Sequence, residues 1–313
     1  MRWFEIMGGP EKAETKDVFA FFIMAALLLV TEGLALLVAK PFESLGIVAF
    51  ENPNDPFDLA FFFSIMVVST AAILLISRFW KKSLVQGIIL GATGLFAFYV
   101  VYALFATVVP ELWSLVFSAA AVGLLLVLLV KYPEWYVIDT CGILLGLATM
   151  TTLGISLSIS LVIVLLITMA IYDAISVYQT KHMIDLADTV LDLKLPVILV
   201  IPKSRKYSLL KETKSLKQKL KDQEEREASF MGLGDIVIPG TLVVSAFHNL
   251  SSNGLLIALS VMLGTLFGFA ALLATSLVQE KPQAGLPYLC SGAILGYVVS
   301  SYLVFGGLAG LGL

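Results

Sequence analysis

Apolar runs long enough to cross a bilayer recur nine times along this chain, at about 18–39, 57–77, 83–109, 112–130, 135–152, 155–179, 231–248, 254–278 and 284–305. Each is near the ~17–25 residues that a membrane helix needs, and too long for the ~9–11 of a barrel strand. Hydrocarbon offers the backbone no hydrogen-bonding partner, so runs of this kind must be helical. The expected fold is an all-α polytopic membrane protein with nine transmembrane helices. Composition agrees: 59% of residues are hydrophobic and 14% charged, where soluble domains carry about 25% charge. Cys141 and Cys290 sit in separate apolar runs, which excludes a disulfide framework. With His182 and His248 the only histidines, no metal and no other cofactor is expected. The first run is about twice a signal-peptide core and reads as a retained helix.

An odd number of crossings puts the termini on opposite sides, and basic residues mark the inner face. With the N-terminus inside, Arg2, Lys12, Lys16, Arg78, Lys81, Lys82, Lys131 and Lys281 lie on inner segments, and Lys40 alone lies outside. The first outer loop is acidic, with Glu43, Glu51, Asp55 and Asp58. The N-terminus is therefore expected in the cytoplasm and the C-terminus outside. Separators such as Val109-Pro110-Glu111 and Thr151-Thr152-Leu153-Gly154 are short and weakly polar. Gly87 and Gly91, Gly142 and Gly146, Gly264 and Gly268, and Gly292 and Gly296 have the small-xxx-small spacing of close helix packing.

The chain divides into residues 1–179 with six helices, a charged cytoplasmic loop at 180–230, and residues 231–313 with three helices. Lys181 to Asp188 reads as an amphipathic continuation of the sixth helix. Leu195 to Ile201, fenced by Pro196 and Pro202 and rich in β-branched residues, reads as a strand. Lys203 to Glu227 reads as a solvated helix or linker. Its acids nearly match its bases and no aromatics interleave, so no nucleic-acid partner is expected.

Carboxylates inside such helices are costly and lean functional. Asp173 lies late in the sixth helix, which runs inward. Asp235 lies early in the seventh, which runs outward. At 1.5 Å per residue both reach the cytoplasmic third of the bilayer, on sequence-adjacent antiparallel helices. Two carboxyls held close share a proton, so one can take a proton from water while the other donates to a carbonyl. Gly232 and Gly234 clear one face beside Asp235, and Pro239 removes a helical hydrogen bond one turn on. Glu32 and Asp139 are expected to serve as structural hydrogen-bonding residues, and His248 as an interfacial one.

With Tyr172-Asp173 and Gly232-Leu233-Gly234-Asp235 in this arrangement, the chain resembles the presenilin and signal peptide peptidase family of intramembrane aspartyl proteases, and looks most like a compact archaeal homologue. The resemblance implies that Asp173 and Asp235 are the catalytic pair, supported by Tyr172, Gly232 and Gly234. It implies single-pass transmembrane proteins or peptides as substrates, within the lipid bilayer of an archaeal plasma membrane. The family's Pro-Ala-Leu signature is matched in part by Ala284-Gly285-Leu286 followed by Pro287. The family also suggests that the strand at Leu195 to Ile201 pairs with an unwound substrate. A proton- or cation-coupled transporter or channel is the competing class, since it too uses buried carboxylates. Against it, the chain has no obvious inverted repeat and its acids cluster at one depth.

Overall fold

The computed structural model describes residues 15–50, 52–79, 82–180, 194–204, 207–211, 227–279 and 283–311. Among these are nine α-helices: α1 (Thr15–Ser44), α2 (Pro56–Phe79), α3 (Lys82–Ala106), α4 (Glu111–Lys131), α5 (Trp135–Ser156), α6 (Ile159–Ile175), α7 (Leu233–Asn249), α8 (Gly254–Gln279) and α9 (Gly285–Phe305). Seven are long and apolar enough to cross a membrane. Large apolar side chains stay exposed along them, such as Phe267 at 74% and Leu303 at 82%, which fits helices facing hydrocarbon instead of water. The continuation at 181–188 and most of 203–227 lie outside the described residues.

The middle of the molecule is α7. It is buried without interruption from Ile236 to Ala246, as expected of a helix apolar all round. Ile236, Val237 and Val244 face a core shared with α1, α3 and α5. Ile238, Leu242, Val243 and Ala246 face another shared with α6, α8 and α9. It forms the wall between the two cores, so a carboxylate near its start is positioned from both sides.

Three differences from the sequence reading have physical causes. The break between α5 and α6 falls at Leu157-Ser158, not at Thr151 to Gly154. The first outer loop fixes it there: Ala49 N–H donates to Ser156 Oγ at 2.7 Å and Ser158 N–H to Pro53 O at 2.8 Å. α1 runs on through Pro41 to Ser44, beyond the end of the apolar run at 39, and the turn after the proline buries Phe42 completely. And the strand at Leu195 to Ile201, observed as β1 (Ile198–Pro202), has a partner the sequence reading missed. It pairs antiparallel with β2 (Ala228–Gly232), Val200 opposite Phe230. A lone buried strand would leave its backbone unsatisfied, and β2 supplies those bonds.

Part of the loop expected to be solvated is docked. Tyr207 and Leu209 are buried, while Ser208 Oγ and Leu209 N–H donate to the Glu134 carboxylate at 2.6 and 3.1 Å. Burial, helped by Glu227 and Glu134, pushes the Tyr207 phenol up to about 12, so its ring packs as a neutral group.

The small-residue pairs divide. A Cβ at Gly142 would lie 3.2 Å from Leu199 and from Pro196 O, and one at Gly146 would lie 3.1 Å from Leu233, so β1 and α7 pack against them. Gly264 and Gly268 meet Gly292 and the Tyr288-Leu289 backbone directly. Gly87 and Gly91, by contrast, have nothing within 4 Å of where a Cβ would stand, so the expected close approach is not made there.

Candidate active site

The site is built where three chain segments end or begin. On α6, Asp173 comes just before the helix widens into a π-helical turn (Ser176–Thr180). On α7, Gly232 closes β2 and also occupies the N-cap, with φ −64° and ψ 133°. Leu233 N–H donates to Val197 O at 3.1 Å, so the sheet and the helix start are one unit. Asp235 is the third residue of that helix. A Cβ at Gly232 would stand 3.3 Å from Asp235 Oδ2, so the carboxylate folds back over the helix start.

On α9 the N-cap is Ala284, and Gly285 and Leu286 are the first two helical residues. Amides at this position have no partner within their own helix, and the helix dipole favours an anion there. Asp173 takes that role: Leu286 N–H donates to its Oδ2 at 3.1 Å. A Cβ on Gly285 would lie 3.3 Å from Asp235 Oδ1 and 3.4 Å from its Cγ. Both carboxylates therefore meet at the start of α9, where Gly285 has no side chain to separate them. Asp173 is 9% exposed and Asp235 half-buried, beside the exposed Gly234, so water has a route to the pair.

The other residues expected at the site are spread more widely. Leu286 is buried beside Asp173. Pro287, third in α9, lacks an amide where none is needed, and it lines an open groove of about 710 Å³ along the outside of the α8–α9 seam. Tyr172 is 57% exposed and is not packed into the bundle. Gly234 has open space around it, so its lack of a side chain matters for access and not for helix contact.

The remaining acids have separate places. Asp139, 7% exposed, accepts the Val200 N–H at 2.8 Å, the structural role expected of it. Glu32 is fully buried against Gly240 and beside Thr265, yet neither oxygen is in hydrogen-bond geometry with a described protein group, so its expected bonding role is not seen. His248 lies at the rim, its Nδ1 3.5 Å from Glu43 Oε2. Tyr178, Gln283 and Cys290 near the site were missed. Cys290, buried one turn beyond Leu286, is within electrostatic range of both aspartates, but an isolated cysteine in an apolar run gives no sequence signal.

A helical membrane bundle that brings two carboxyls together at one glycine, next to solvent, defines a polytopic protein with a two-acid centre. The family model described as signal-peptide peptidase, presenilin aspartyl protease matches residues 25–306. The chain belongs to that family. Two solved structures of a presenilin family intramembrane aspartate protease, in the C222 and P2 space groups, are similar to it at 29% and 31% identity. Each alignment covers 90% of this chain and 97% of the other, with TM-scores of 0.63 and 0.64. No curated protein sequence matches.

Ala284 holds φ −73° and ψ 126°, and that φ lies within the range a proline ring imposes. Ala284→Pro is accordingly expected to be accepted. It should add about 0.4–1 kcal/mol of stability by restricting the unfolded chain. Thermal melting and turnover test this; a destabilised or inactive variant would show that the ring does not fit.

Proposed function

We propose that this protein is an intramembrane aspartyl endopeptidase in which Asp173 and Asp235 are the catalytic residues, hydrolysing peptide bonds in transmembrane segments or remnant signal peptides. The observation that carries this reading is the meeting of both carboxyls at Gly285. One shared proton makes the pair an acid and a base at once. The ionised carboxylate takes a proton from water as the oxygen attacks the scissile carbonyl carbon. The protonated carboxyl gives its proton to the carbonyl oxygen. As the diol collapses, the ionised carboxylate takes a proton from one diol hydroxyl, the C–N bond breaks, and the protonated carboxyl gives its proton to the leaving nitrogen, which returns the pair to one shared proton. No covalent enzyme intermediate forms.

A helical substrate must be extended first, because its peptide bonds are engaged in its own hydrogen bonds. The strand first expected to receive it, β1, has its outer edge turned to α5, where Asp139 holds Val200 N–H. Antiparallel alternation then turns the N–H and C=O of Phe230 on β2 outward. In our reading β2 offers the edge for an extended substrate, leading straight to Asp235.

The proposed setting follows the charge pattern: nine crossings, the N-terminus and the 180–230 loop in the cytoplasm, the C-terminus outside, in an archaeal plasma membrane. The test is incubation of purified protein in detergent with a fluorogenic transmembrane peptide. Cleavage with a bell-shaped pH profile is expected, its limbs belonging to the pair. Proton or cation flux in proteoliposomes without any cleavage would favour the transporter reading instead.

A further inference from the structure

Asp173 has two tasks in this arrangement. In the proposed function it is a reacting group, and its carboxylate is also a tie between α6 and the start of α9, through the amide of Leu286. A tie of that kind weakens when the carboxyl changes protonation, because charged hydrogen bonds are about twice as strong as neutral ones. A site that depended on it alone would loosen during its own reaction.

A second tie lies just beyond. Tyr178 Oη donates to Gln283 Oε1 at 3.0 Å, joining the π-helical turn after α6 to the residue before the α9 N-cap. Gln283 is 4% exposed although it stands at the end of a polar connection. The π turn has a physical use here. An α-helix advances each residue by ~100°, which would place a residue five positions after Asp173 well off its face. The wider i→i+5 turn advances less per residue and brings Tyr178 back toward that face. This second bond joins a phenol hydroxyl to a carboxamide oxygen and contains no carboxyl group.

We propose that Tyr178 and Gln283 are a positioning pair that keeps the α9 N-terminus against α6 whatever the protonation state of Asp173. The proposal rests on the assignment of Asp173 and Asp235 as the reacting pair. The bond sits directly before Ala284, the N-cap of α9, and so holds by a side-chain contact the segment that leads into that helix.

The test is a double-mutant cycle with Tyr178→Phe, Gln283→Leu and both together, assayed on the transmembrane peptide with parallel thermal melts. Each single variant is expected to lose about 3- to 10-fold in kcat, with KM within about twofold, as when positioning of reacting groups is loosened. The double variant is expected to be no worse than the poorer single one, because both remove the same bond. The pH profile of Tyr178→Phe is expected to be narrower than that of the parent, since the surviving tie titrates. Wild-type kcat in Tyr178→Phe, an unchanged profile, or losses that multiply in the double variant would overturn the proposal. If Gln283→Leu fails to fold, Tyr178→Phe decides alone. A parent protein that cleaves nothing would instead refute the protease reading, so the two failures are distinguishable.

Discussion

Replacing Asp173 or Asp235 by Asn is expected to reduce peptide cleavage by at least about 10³-fold while leaving the protein folded. General acid or base catalysis supplies roughly 10²–10⁴-fold per group, and in the proposed mechanism removing either carboxyl removes the shared proton as well. Asn keeps an acceptor oxygen, so the Asp173→Asn side chain can still receive the Leu286 N–H that Asp173 Oδ2 accepts now. Stability should therefore change little. Turnover of the fluorogenic peptide, with melting followed on the same preparations, measures both. The double variant should be no less active than the poorer single one, because the two groups act as a unit. Full activity in either single variant would remove the dyad.

The second large effect is expected far from the carboxyls. At the α8–α9 seam, a Cβ on Gly292 would overlap the Gly264 carbonyl oxygen, and one on Gly264 would overlap that of Gly292. Both obstacles are backbone, so no side-chain rotation relieves them, and the helices must separate. Gly292→Ala is expected to cost about 3 kcal/mol, the upper part of the range for overpacking. Because α9 begins with Gly285 and Leu286, separation also shifts the contact to Asp173. A displacement of about 1 Å at reacting groups can cost ~10²-fold in rate. Gly87→Ala is the control: open space surrounds that position, so melting and activity should stay at the parent level or rise slightly. Equal behaviour of the two variants would show that the seam does not carry this load.

Much of the helical framework is legible along the chain because each crossing is a local property. Nine apolar runs correspond to nine described helices, with ends mostly within a few residues. The α5–α6 break escapes a local reading because its position depends on Ala49 and Pro53, more than a hundred residues away in sequence. For the same reason β2 is not visible. Ala228 to Gly232 is a strand because β1 lies beside it, and its own composition does not mark it out from a helix start. Spacing suggests the packing of Gly142, Gly146, Gly264, Gly268, Gly292 and Gly296, yet Gly87 and Gly91 have the same spacing and no neighbour. Spacing says that a close approach is possible, and another helix has to be there to make it.

That the chain is a helical membrane protein, and that Asp173 and Asp235 enter on consecutive helices at similar depth, follows from the order of residues alone. Hydrophobic run length and the cost of a buried carboxyl act within a single segment, so they can be read without a fold. How those acids are held is a matter of packing. The free amide that receives Asp173 belongs to Leu286 on α9, the space beside Asp235 is the missing side chain of Gly285, and the strand leading into Asp235 is oriented through Asp139 on α5. Each of these arrangements needs groups from segments remote in sequence. Their hydrogen bonds and close contacts exist only once the helices have packed.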